Sequence, residues 1–121
     1  MPAILIIDDN ASVGTALDVL FSLHDIDTLQ AQSPAEGLAL LESQPVDLVI
    51  QDMNFSEDTT SGEEGEALFA QIRARHPDLP VILLTAWTHL SSAVDLVKAG
   101  AADYLAKPWD DRKLLTTVNN L

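Results

Sequence analysis

The chain is 121 residues long, the size of one compact domain with a real core, and 47% of it is hydrophobic, too much for a disordered acidic tail. Six basic residues against 19 acidic ones leave a formal charge of -13, a surface that repels phosphate backbones and anionic headgroups and so argues against direct nucleic-acid or membrane binding. The chain has no cysteine, which excludes disulfides, thiolate metal sites and thiol nucleophiles. No apolar run approaches the ~20 residues that span a bilayer, and Met1-Pro2-Ala3 leads into a strand pattern without a basic stretch; the expectation is a soluble, cytoplasmic protein.

Short apolar runs alternate with segments of helical periodicity, the pattern of a parallel sheet covered by helices on both faces. Ala3 to Ile7 is an apolar first strand ending in Asp8-Asp9-Asn10, where Asp9 or Asn10 caps a helix carrying Val13, Leu17, Leu20 and Phe21. Ile26 to Ala31 reads as a second strand, and Ser33-Pro34 supplies a cap and a first-turn proline for a helix through Leu38 and Leu41. Leu48-Val49-Ile50 is the third strand, closed by Asp52. A polar stretch from Asn54 to Glu64 precedes a helical stripe of Leu68, Phe69 and Ile72 that stops before Pro77. Val81 to Leu84 is a fourth strand ended by Thr85. A helix from about Leu90 to Lys98 is terminated by Gly100, and Asp103-Tyr104-Leu105-Ala106 forms a short fifth strand closed by Lys107-Pro108. Asp110 to Leu121 reads as a fifth helix with Leu114, Leu115 and Val118 turned inward. The expected fold is α/β, an open doubly wound sheet of five parallel strands with five helices, and residues 1–121 form one domain.

In such a sheet functional groups gather beyond the carboxyl ends of the strands, where the strand order reverses. Asp8 and Asp9 end strand one, Asp52 strand three, Thr85 strand four and Lys107 strand five, so four strand ends supply one pocket. A lone terminal aspartate is ordinarily a helix cap; the combination is not explained that way. Two carboxylates ~4 Å apart repel by roughly 4 kcal/mol at an effective dielectric of ~20, so three cannot all be ionised there unaided. Asp8, Asp9 and Asp52 sum to three negative charges, which Lys107 and one divalent ion balance. Oxygen-only donors suit Mg2+ or Mn2+ rather than zinc. A carboxylate in that setting is also a nucleophile able to form an acyl phosphate, and Asp52, alone on the central strand, is the candidate, with Lys107 and the Thr85 hydroxyl placed to receive phosphoryl oxygens. His24, His76 and His89 lie on separate elements and read as solvated or half-buried side chains.

This pattern resembles the receiver domains of two-component response regulators over essentially the whole chain. Asp8 and Asp9 match the family's acidic pair, Asp52 its phosphoacceptor, Thr85 its switch hydroxyl, Tyr104 its switch aromatic, Lys107 its lysine and Pro108 the proline after it. The resemblance implies a flavodoxin-like strand order 2-1-3-4-5 and a metal ligand in the backbone carbonyl of Asn54. It also implies Mg2+-dependent phosphoryl transfer to Asp52 from a sensor histidine kinase or a small phosphodonor. The output is then a change in the face formed by helix four, strand five and helix five. That face serves an effector domain, a downstream protein or a second receiver in a phosphorylation-dependent homodimer. Such a domain catalyses its own phosphorylation and dephosphorylation but is not a turnover enzyme.

The sequence departs from the family pattern between Met53 and Glu64. Gly65 best fills the place of the glycine that follows the phosphoacceptor, so this loop is about five residues longer than usual, lacks a proline and carries Glu57, Asp58, Glu63 and Glu64. Asp52-Met53-Asn54-Phe55 with Thr60-Ser61-Gly62 resembles receivers attached to sigma-54-type transcriptional activators, and Trp87 falls where family members carry a residue bounding access to the phosphoryl group. Three rivals share the fold or the chemistry. A flavin-binding module wants a phosphate cradle after strand one, which Asp8-Asp9-Asn10 would repel. A haloacid-dehalogenase-like phosphatase needs a second aspartate two residues after its nucleophile, where this chain has Asn10. A receiver-like interaction module that is never phosphorylated would have lost one of the five polar positions, and all five are present. The expectation extends to a chain that is either a lone receiver or a piece of a longer regulator.

Overall fold

The computed structural model describes residues 3–53, 63–85, 90–106 and 109–119. Strands and helices alternate: β1 Ala3–Ile7, α1 Ala11–Ser22, β2 Asp27–Ala31, α2 Pro34–Ser43, β3 Leu48–Asp52, α3 Glu63–Arg75, β4 Val81–Thr85, α4 Leu90–Lys98, β5 Asp103–Ala106 and α5 Asp111–Asn119. All neighbouring strands pair in parallel, in the order β2-β1-β3-β4-β5. The expected fold class and strand order are therefore those observed.

The inner strands are apolar on both sides because both faces are covered. On one face Ile4, Ile6, Leu48, Ile50, Ile82, Leu84 and Leu105 meet Leu17 and Phe21 of α1 and Leu114 of α5. On the other, Leu5, Ile7, Val49, Val81 and Leu83 meet Leu41 of α2 and Leu68, Phe69 and Ile72 of α3, with Leu96 and Val97 of α4 packed alongside. Each helical stripe marked from periodicity faces the core.

Local chemistry sets the element ends. Asn10, in an extended conformation, accepts the backbone N–H of Ser12 and is the cap of α1, so the choice between Asp9 and Asn10 falls to Asn10. Ser33 caps α2 by accepting the N–H of Glu36, with Pro34 in the first turn. Asp110 accepts from the N–H groups of Arg112 and Lys113 and thereby sits before α5 rather than within it. Gly100 ends α4 at φ +121: its N–H donates to the Val97 carbonyl while that of Ala101 donates to Leu96, the paired bonds of a Schellman motif. The Arg73 guanidinium secures the same corner, donating to the carbonyls of His76, Pro77 and Gly100 while lying over the Phe69 ring.

Two further boundaries differ from the sequence expectation. β2 begins at Asp27 rather than Ile26, and α3 begins at Glu63, inside the stretch read as polar connection. The sequence there carries no apolar periodicity, and the exposed Glu66 in the first turn is favoured by the positive end of the helix dipole.

Candidate functional site

Parallel register builds the site. Ile7 of β1 lies beside Gln51 of β3, so the next residue on each strand brings Asp8 alongside Asp52 at the carboxyl edge of the sheet. Asp52 is also in register with Leu84, and the Met53 N–H donates to the Leu84 carbonyl, which extends the β3–β4 ladder past Asp52 and holds its backbone from both sides. The Asp8 N–H likewise donates to the Ala31 carbonyl of β2, and its carboxylate accepts the N–H of Asn10 at 2.9 Å.

Strand parity explains the burial. Asp8 continues the series Ile4, Ile6, and Asp52 continues Leu48, Ile50; both carboxylates are nearly enclosed, at 3% and 2% exposure. Asp9, one residue further on, is exposed. One carboxylate oxygen from each of Asp8, Asp9 and Asp52 lies within 4.8 Å of the others. Burial removes water that would screen the charges of Asp8 and Asp52, so carboxylates gathered this closely favour a nearby cation. The donor set is oxygen only, which fits a hard divalent ion such as Mg2+ and not a soft one.

The remaining candidates are described unevenly. Thr85 is the last residue of β4, paired in register with Ala106, so its backbone reaches the same edge of the sheet. Asn54, Lys107, Trp87, Pro108 and His89 lie outside the described residues. Tyr104 sits on β5 in register with Leu83, half-buried against the core formed by α2 and α3. His24 is exposed and His76 half-buried, each away from the three carboxylates.

Gly65 shows why a glycine is needed in the first turn of α3. A Cβ there would stand 2.5 Å from the Met53 Cα and 2.6 Å from its carbonyl oxygen, so the helix begins in direct backbone contact with the residue after Asp52. Sequence reading did not single out Gln51. This residue is fully buried between Ile50 and Asp52, and its Nε2 donates to the Gly65 carbonyl at 2.9 Å. The available signal was one amide between the apolar run Leu48-Val49-Ile50 and Asp52.

Comparison with known proteins adds an independent line. Residues 4–119 match the family model described as the response regulator receiver domain. The chain is 35% identical over 115 residues to the response regulator protein FleR of Pseudomonas aeruginosa, covering 95% of this chain and 23% of that protein. It is 35% identical over 105 residues to the DNA-binding transcriptional regulator NtrC of Escherichia coli, covering 87% of this chain and 21% of that one. This chain thus spans about a quarter or less of the length of these relatives. Among solved structures, the N-terminal signal receiver domain of a two-component response regulator from Bacteroides fragilis superposes with a TM-score of 0.88 at 36% identity, covering 99% of this chain and 95% of that one.

Proposed function

Because the chain belongs to the response regulator receiver domain family, we propose that it is a phosphoacceptor signalling domain in which Asp52 takes a phosphoryl group. The single observation that carries this reading is the buried Asp52 carboxylate held beside Asp8 and Asp9, with oxygens of all three within 4.8 Å. Attack by an Asp52 oxygen forms the new O–P bond as the bond from phosphorus to the donor breaks, and the donor leaves with that electron pair. A sensor histidine kinase or a small acyl phosphate serves as donor.

The residues that would hold Mg2+, or Mn2+ in its place, are Asp8, Asp9 and Asp52 with the Asn54 backbone carbonyl. When bound, the ion supplies charge neutralisation to the three carboxylates and the incoming phosphoryl oxygens. Asp8 is oriented by the Asn10 N–H and by its own N–H on Ala31, so its geometry is set before any ligand arrives. Lys107 and Thr85 receive phosphoryl oxygens. Replacing a carboxylate by a group of about -2 charge favours new donors, and Thr85 with Tyr104 carries that change to the face of α4, β5 and α5, where an effector domain, a downstream protein or a second receiver binds. The domain acts in the cytoplasm as a one-event switch on its own Asp52 and does not turn over a substrate. Asn10 supports this reading over a dehalogenase-like phosphatase: the position where that chemistry needs a second aspartate holds a helix cap.

Acetyl phosphate with Mg2+ should add one phosphate to the wild-type chain by intact mass, and Asp52→Asn should add none. A stable phosphate on Asp52→Asn at the wild-type rate would refute the assignment of Asp52.

A further inference from the structure

Gln51 occupies a position that hydrocarbon would fill more cheaply. Across the sheet its neighbours in register are Ile7 and Leu83, along the strand Val49 and Met53 share its face, and all four are wholly buried. Burying a carboxamide is costly unless its polar atoms are bonded. Here compensation is partial. Nε2 donates to the Gly65 carbonyl at 2.9 Å, with longer contacts to the Asp52 carbonyl at 3.5 Å and the Met53 sulfur at 3.9 Å. Oε1 is buried and has no hydrogen-bond partner among the described residues. The opposite amide orientation would turn Oε1 toward the Gly65 carbonyl, acceptor against acceptor, so the bond to Gly65 fixes the group.

The bond joins two points that both bear on Asp52. One end is the residue immediately before it on β3. The other is the first turn of α3, whose Gly65 lies against the backbone of Met53, the residue immediately after it. The Gln51 side chain therefore closes a bracket around the phosphoacceptor, and a side chain that sacrifices packing to do so is placed for alignment rather than for stability.

We infer that Gln51 is a positioning residue for Asp52, whose buried carboxamide ties the end of β3 to the first turn of α3 and so keeps the Asp52 carboxylate in register with Asp8 and Asp9. The inference rests on Asp52 being the phosphoacceptor. Its test compares the wild type with Gln51→Leu and Gln51→Met, both of which fill the volume without the amide. Three quantities are measured: the thermal midpoint in EDTA, the Mg2+ dissociation constant by calorimetry, and the rate of phosphate gain from acetyl phosphate by intact mass.

Alignment through Gln51 requires a midpoint close to the wild-type value in both variants, since the Gly65 carbonyl loses a donor while a half-bonded amide is exchanged for hydrocarbon. It also requires Mg2+ affinity weakened about tenfold, the low end of what loss of a ligand-orienting group costs, with the rate of phosphate gain lowered in step. Wild-type affinity and rate in either folded variant would overturn the inference. So would weakened affinity found only together with a lowered midpoint, or failure of both variants to fold, because either makes Gln51 structural. If the wild type itself gained no phosphate, the phosphoacceptor reading would fall separately, and the Mg2+ titration, which needs no transfer, would still decide the role of Gln51.

Discussion

Across one face of the sheet Ile4, Ile6, Leu17, Phe21, Ile82 and Leu114 meet as hydrocarbon, whereas the opposite face seats the Gln51 carboxamide among Ile7, Val49, Met53 and Leu83. The two faces share strands, length and degree of burial. What differs is their relation to the acidic cluster. α1 and α5 cover a hydrocarbon layer that Asp8 and Asp52 continue at the carboxyl edge, while α3 begins on the backbone of Met53 and is bonded to Gln51, one residue to either side of Asp52. The first face supplies stability; the second trades some of it for alignment at the carboxyl edge.

Three perturbations separate these tasks. The largest effect is expected from Phe21→Ala, which removes a wholly buried ring on the α1 side and should destabilise the fold by about 3–5 kcal/mol. Denaturant unfolding measures the loss, and calorimetry on the protein that remains folded should give wild-type Mg2+ affinity; a weakened site would mean that the hydrocarbon face also aligns it. Next is Asp9→Asn. At a Mg2+ concentration of about 100 times the wild-type dissociation constant, binding should stabilise the wild type by about 2.7 kcal/mol, and a tenfold weaker site would gain about 1.4 kcal/mol. Thermal melts with and without Mg2+ read the difference, and equal Mg2+ gains in both proteins would remove Asp9 from the ligand set. Comparable in size is Gly65→Ala, whose Cβ meets backbone that cannot rotate away, at a cost of about 1–3 kcal/mol. Here stability and Mg2+ affinity should fall together, because the first turn of α3 must lift from Met53; an intact site would show that this contact is packing alone.

Much of this arrangement was legible from residue order. β1, β5 and the end of α4 were readable because an apolar run, a polar stop and Gly100 lie next to one another in the chain. The meeting of Asp8, Asp9 and Asp52 was readable because parallel strands of a doubly wound sheet bring their carboxyl ends to one edge. Two kinds of information were not carried locally. The start of α3 at Glu63 accompanies the docking of Gly65 against Met53, which leaves no apolar period in the sequence. The role of Gln51 depends on a bond to a residue 14 positions away. Likewise, either Asp9 or Asn10 suited the cap of α1 by composition, and only the backbone geometry awards it to Asn10, leaving Asp9 with its oxygen near those of Asp8 and Asp52.

The approach of Gly65 to Met53 also bears on chain length. The chain leaves β3 and re-enters α3 at nearly one point, fixed by residues that lie outside 54–62. The entropy of closing a connection between fixed ends grows only as the logarithm of its length, about 0.6 kcal/mol for each doubling. Lengthening such a connection by about five residues therefore costs the fold less than one such step. Changing the number of residues between Met53 and Glu63 by a few is expected to shift the unfolding free energy by less than about 0.6 kcal/mol, which denaturant unfolding would read.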